Sequence, residues 1–220
     1  DMTAAQAIDA MHRFSGSKRV QVDDSLISRA EGFSPDMATY LHSNLLSPTM
    51  QEAMTVEDYT KPIEWVQPMA SEDEVIKAAQ KNRDDYNKIL NFGVGVSKSI
   101  GARTVDMSKE GARENLIKEI KAGKKGPVIV IEPLLTASEQ GLEEARNKVA
   151  DVHGGSWGKL RDVVSGTVSV DSLDDVPGAV AALRDHVKGK DWKISTRPID
   201  KFSNPSGNGY RNLTLFIESP

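Results

Sequence analysis

The sequence predicts an α/β protein: a mixed β-sheet flanked by helices and preceded by a mostly helical N-terminal region. Three observations carry that prediction. Val128-Ile129-Val130-Ile131 is a short, wholly apolar, β-branched run, the pattern of a buried strand. From there on, extended and helical patterns follow in the order β-α-β-α-β-loop-β, and a sheet covered by helices is how such an order buries its apolar faces. Upstream, the legible segments have helical spacing.

Residues 2–14 are rich in helix formers, with Ile8 and Met11 three apart. Residues 32–70 carry Pro35, Pro48, Pro62 and Pro68, which predicts short helices and loops, with one helix over Met37–Leu46. Ser71-Glu72-Asp73-Glu74 is a capping box, and Val75, Ala78, Ala79, Tyr86, Ile89 and Leu90 follow at helical spacing. Phe92-Gly93 is the expected end of that helix, glycine supplying a left-handed exit. Residues 109–122 predict a second helix with Leu116, Ile117 and Ile120 on one face, broken by the Gly-Lys-Lys-Gly stretch after it. The strand at 128–131 leads into a helix from Ser138 to Val152, then a strand over Leu160–Val170. A helix over 173–187 has Asp174 and Asp175 at its positive N-terminus and Val176, Val180, Leu183 and Val187 along one side. Strands over Asp191–Thr196 and 211–218 complete the order. These elements divide the chain into a helical region at 1–120 and a sheet domain at 121–220.

A chain of 220 residues suffices for one large domain or two small ones. Apolar residues make up 38% and charged residues 27%, the balance of a soluble globular protein. The net charge of −4 argues against broad binding to DNA or to membranes. With no cysteine, disulfides and thiolate metal sites are excluded. No apolar run reaches the length of a membrane span. No signal-peptide pattern follows Asp1-Met2, and that start is expected of a processed or cloned piece.

Few residues point to chemistry. Phe92–Gly101 (FGVGVSKSIG) fits neither the dinucleotide fingerprint nor the Walker spacing, and it reads as a connector. His12, His42, His153 and His186 lack metal-ligand spacing. Asp162 opens the apolar stretch 162–170, where a carboxylate at a strand end can hold Mg²⁺ or can serve simply as a turn residue. Arg197, Lys201 and Arg211 lie around one turn and suit phosphate oxygens. Tyr210 suits either stacking on a nucleobase or a place in the core, and Gly207 and Gly209 permit close backbone approach or only the turn.

Three segments, IEPLLTASEQGLEEARNKV (131–149), KLRDVVSGTVSVDSLDDV (159–176) and RPIDKFSNPSGNGYRNLTLFIESP (197–220), together resemble the synthetase domain of the RelA/SpoT-like family. The resemblance covers about residues 127–220 and looks closest to the toxin-like and phage-borne branch; nothing in residues 1–120 takes part. It implies a nucleotidyltransferase-type fold and an ATP-dependent pyrophosphokinase, a toxin or alarmone synthetase. Such an enzyme transfers pyrophosphate, with Mg²⁺, from ATP to a ribose hydroxyl of a nucleotide or tRNA. By resemblance Asp162 is the catalytic, metal-binding aspartate. Tyr210 stacks on the acceptor base, and Arg211, Lys201, Arg197 and Asn208 line the acceptor side. A cytoplasmic site of action follows, with delivery as a secreted effector or phage-borne protein. An immunity or antitoxin partner, or one that completes the sheet, follows as well.

The chain departs from the family at three places. Leu135 stands where the family has a phosphate-binding Lys, and Ser165 where the toxin-like branch has Arg. The family's second acidic residue belongs to a strand beyond Pro220, so the synthetase domain is expected to be C-terminally truncated. Two lost cations facing a polyphosphate imply an impaired or inactive enzyme. The alternative is a non-catalytic nucleotide-binding, structural or interaction module of a phage-head or polymorphic-toxin protein.

Overall fold

The computed structural model describes residues 3, 6–8, 30, 32–63, 71–81, 93–134, 138–161, 163–190, 192–203, 207 and 209–218. In chain order the elements are α1 (Pro35–Leu45), α2 (Pro48–Ala53), α3 (Val56–Thr60), α4 (Glu72–Lys81), α5 (93–100), β1 (Arg103–Asp106), α6 (Ala112–Lys121), β2 (Val128–Ile131), α7 (Glu139–Asp151), β3 (Gly166–Ser169), α8 (Val176–Lys188), β4 (Lys193–Ile194), β5 (Ile199–Asp200), β6 (Leu213–Thr214) and β7 (Ile217–Glu218). Short 3₁₀ turns stand at Trp157–Lys159 and Leu173–Asp175. The class is mixed α/β, with a small sheet containing parallel and antiparallel strands.

The chain forms two compact units, one from residues 66–186 and one from residues 1–65 with 187–220. The division expected at residue 120 would fall between β1 and β2, which are hydrogen-bonded neighbours. The single sheet expected from the strand order is likewise divided. The strands near 193 and 213–218 pair with each other rather than with β1–β3.

In unit 66–186 the sheet order is β1-β2-β3, β1 parallel and β3 antiparallel to β2. The Val-Ile-Val-Ile run is the central strand, with Val128, Ile129 and Ile131 buried. On β3 Val168 is half-buried while Thr167 and Ser169 face water, as a one-sided antiparallel strand requires. β1 was not foreseen: Arg-Thr-Val-Asp has one aliphatic residue and no flanking pattern, and its partner β2 decides its state.

The stretch 93–100, expected as a connector after a glycine exit, is helical instead. Gly93 is not in the left-handed region; Gly101, at φ 66°, is where this helix stops. The two inner glycines serve packing. A Cβ at Gly93 would come within 2.7 Å of Ile131 Cδ1, and one at Gly95 would run into the His186 imidazole. Absent side chains thus let α5 lie close to the central strand and to α8.

The capping box at Ser71 forms as expected: Glu74 N–H donates to Ser71 Oγ at 3.3 Å and Ser71 N–H to Glu74 Oε2 at 3.2 Å. Val75 of α4, Ala145 and Val149 of α7, Trp157 and Leu160 form one apolar cluster, with Val163 against it. This cluster explains why the strand expected over Leu160–Val170 starts only at Gly166. Leu160 closes the 3₁₀ turn, its N–H donating to Trp157 O at 3.1 Å, and is fully buried against helices. Leu160→Ala is expected to destabilise the chain by about 2–5 kcal/mol, from lost transfer energy plus a cavity, measured as a urea midpoint at unchanged slope. At the surface, Arg146 Nε donates to Glu72 at 2.8 Å. That hydrogen bond and the Glu72 charge raise the Arg146 pKa. α6 forms where expected, yet none of its residues is buried, and Ile117 and Ile120 are exposed.

In the other unit the prolines start helices rather than break them. Ser34-Pro35 and Ser47-Pro48 each pair an N-cap serine with a proline in the first turn, where no N–H is needed. Thr55 and Asp58 form a further capping box on α3. Asp58 is fully buried and answered by Lys61 Nζ at 2.9 Å and Thr55 N–H at 2.9 Å. His42 Nε2 lies 3.1 Å from Gln51 O and 3.0 Å from Met54 O, so the proton is on that nitrogen and ties α1 to the end of α2. The buried apolar side chains include Phe33, Met37, Leu41, Met50, Met54 and Tyr59.

The chain returns to this unit as a bulged hairpin. Lys193 pairs with Glu218 and Ile194 with Ile217, and Ser195 N–H donates to Phe216 O at 3.0 Å. Past the bulge Ile199 pairs with Thr214 and Asp200 with Leu213, and Lys201 N–H donates to Asn212 O at 2.8 Å. Between those ladders residues 196–198 stand opposite Leu215 alone. Such an insertion bends a strand and re-aims the side chains within it.

Candidate functional site

The end of the hairpin carries the residues the sequence singled out. Asp200 Oδ1 accepts the N–H groups of Phe202 at 2.8 Å and Ser203 at 3.1 Å, which starts the turn after β5. On the return, Gly209 has φ 80°, a left-handed conformation that favours glycine. Tyr210 follows it at 56% exposure, outside the core.

The register sorts the neighbours. Asn212 lies opposite Lys201 and donates through Nδ2 to Thr214 Oγ1 at 2.8 Å, which puts Asn212 and Thr214 on one face. Lys201 is half-buried beside this pairing, and Arg211 is exposed.

Arg197 does not join them. It sits in the bulge at 6% exposure, and its Nη2 donates to Ala30 O at 2.6 Å. Its guanidinium carbon lies 4.6 Å from the centroid of the Phe33 ring, and its N–H donates to Pro62 O at 2.8 Å. Sequence spacing placed Arg197 with the acceptor cations; the bulge turns it into the unit's interior instead. Ser165 is exposed just before β3, its carbonyl accepting Glu132 N–H at 3.1 Å. Asp162, Leu135 and Asn208 lie outside the described residues.

No protein-family model matches the chain, and neither does any curated protein or solved structure.

Among the described residues no group of three His, Asp or Glu side chains is placed to hold a metal ion. No helix among them is long and apolar enough to cross a membrane. A hollow of unit 66–186, about 760 Å³, is an open groove along β1 and α6, and none of the predicted residues lines it. Its carboxylate Glu119 is already paired with Arg103 and with Lys124, the latter at 2.6 Å.

Sequence reasoning missed Asp200 and Asn212, which shape the hairpin end. An Asp two and three residues ahead of the N–H groups it accepts is an Asx-turn signal, and it was available in Asp200-Lys201-Phe202-Ser203. Nothing in the sequence marked the bulge, because it depends on which residue of 211–218 pairs with which of 193–201.

Proposed function

We propose that the chain is a pyrophosphokinase-type domain, of the toxin or alarmone-synthetase kind, that takes ATP as donor and a nucleotide or tRNA as acceptor. The carrying observation is the exposure of Tyr210, after the left-handed Gly209 and two residues from the Asn212 that pairs with Lys201, in a segment that resembles the family. Transfer of a pyrophosphoryl group asks a protein mainly for positioning and charge neutralisation. Tyr210 would hold the acceptor base by stacking, worth on the order of 1–3 kcal/mol, and Lys201 would meet its phosphates. Mg²⁺ belongs to the proposal through Asp162, whose carboxylate would hold it and which lies outside the described residues; those residues form no group of three ligating side chains. A cytoplasmic site of action, delivery as an effector or phage-borne protein, and an antitoxin partner belong to the same reading.

Leu135 and Ser165 remove two cations the family uses, so the chain is expected to be slow. Each lost charged hydrogen bond, about 1.5–3 kcal/mol, corresponds to a tenfold to hundredfold loss of rate. The double variant Leu135→Lys/Ser165→Arg is therefore expected to raise pyrophosphate transfer by at least about a hundredfold. Transfer is read with terminally labelled ATP and GDP, GTP, AMP, ADP, ATP or tRNA as acceptor. Adding Tyr210→Ala is expected to remove the gain. No transfer to any acceptor by the folded double variant, extended by a C-terminal strand that carries the second acidic residue, overturns the reading.

A second reading, a non-catalytic binding or interaction module, is favoured by the burial of Arg197. Calorimetry with no heat from ATP or GDP at millimolar concentration would select it.

A further inference from the structure

We infer that residues 30–62 form an intramolecular clasp that withholds Arg197 from the phosphates of the acceptor nucleotide, so that the N-terminal region regulates the hairpin it packs on. The inference rests on the proposed function for the ligand, and on geometry alone for the clasp.

Three separate pieces of the N-terminal segment hold this one residue. Ala30 supplies a carbonyl to the guanidinium at 2.6 Å, Phe33 a ring at 4.6 Å, and Pro62 a carbonyl to the backbone N–H at 2.8 Å. The residue before it, Thr196, has no exposed surface. The segment is braced on itself, since Phe33 N–H donates to Tyr59 O at 3.0 Å. The Ala30 and Phe33 contacts to the side chain come from residues distant in sequence, whereas Lys201 and Arg211 on the same hairpin are half-buried and exposed. Bulges re-aim a side chain, and this one directs an arginine toward the N-terminal segment.

Arginine suits both environments. Its planar guanidinium stacks on an aromatic ring and equally forms paired hydrogen bonds to phosphate. The clasped state and a phosphate-bound state therefore compete for the same group. A polyphosphate that binds only the released form must pay the opening equilibrium, and its apparent affinity falls by the fraction released. Anything that loosens residues 30–62 would raise that affinity.

The test uses the full chain. Phe33→Leu keeps apolar volume but removes the stacked ring, and Phe33→Met is the second variant should the first fail to fold. Site-resolved phenylglyoxal labelling, read by mass spectrometry, reports the accessibility of Arg197. Calorimetry with GDP, and with inorganic pyrophosphate, reports binding. Expected are protection of Arg197 in the unaltered chain, labelling at least several-fold faster in the variants, and GDP affinity raised roughly tenfold. Arg197→Gln added to Phe33→Leu is expected to abolish the gain. A pyrophosphate gain equal to that for GDP would show that the phosphates alone are read.

Unchanged protection in folded variants overturns the clasp and leaves the proposed function untouched. Faster labelling with unchanged GDP binding overturns the gating. Faster labelling with no binding of GDP or pyrophosphate by any variant overturns the phosphate ligand assigned to Arg197.

Discussion

Arg197→Ala is expected to destabilise the chain by about 3–5 kcal/mol, the range for disrupting a buried charged network. The side chain is 6% exposed, donates to Ala30 O and stacks on Phe33. Truncation leaves a buried carbonyl without its donor, about 1–3 kcal/mol, and removes the alkyl stem and the cation–π contact. Arg197→Met should be milder, because a buried ionic group replaced by an apolar one of similar volume is often close to neutral. Urea unfolding of the two variants decides the matter. If alanine and methionine both leave the midpoint unchanged, Arg197 is not the anchor of this unit and the clasp has no energetic basis.

The same residue shows what a motif reading can and cannot reach. In the sequence Arg197 opens the hairpin segment and stands close to Lys201, so a common role with it and Arg211 is the economical reading. Charge and spacing do not reveal that residues 196–198 form a bulge, and the bulge decides where the side chain goes. For Tyr210 the sequence left a choice between a stacking position and the core, and its 56% exposure decides against the core. Of the site, then, the sequence marked the hairpin end, while the exposure of its ring and the division of cations between surface and interior required the fold.

For the fold, local signals were read well where a cap or a pure composition enforced them. Ser71 to Glu74, Ser138 before α7 and the Val-Ile-Val-Ile strand are of this kind. Failures came where tertiary contacts overrode local preference. Gly93 and Gly95 looked like flexible joints, but they are helix positions emptied of side chain so that Ile131 and His186 can approach. Leu160 looked like the start of a strand because its apolar neighbours run on, but its burial is against Val75 and Val149. In neither case does any local pattern distinguish the two outcomes.

Two further glycines should respond to alanine with opposite signs. At Gly32 a Cβ would press on the Thr60 carbonyl, with Thr60 C at 3.0 Å and Lys61 C at 3.4 Å. These are backbone atoms that cannot swing aside as a side chain would, and the Phe33 N–H to Tyr59 O bond of 3.0 Å fixes the spacing. Relief requires the 30–33 segment to move off α3, taking Phe33 from beneath Arg197. Gly32→Ala is therefore expected to destabilise the chain by about 3 kcal/mol, the upper range for overpacking. Gly178, on the exposed side of α8, has nothing within 4 Å of its Cβ position. There alanine should stabilise by about 0.5–1 kcal/mol, through a lower entropy of the unfolded chain and better helix propensity. Urea unfolding of both variants tests the pair. A Gly32→Ala midpoint equal to that of the unaltered chain would mean that residues 30–33 do not dock on α3. The Phe33 contact and the burial of Arg197 would then lose their support together.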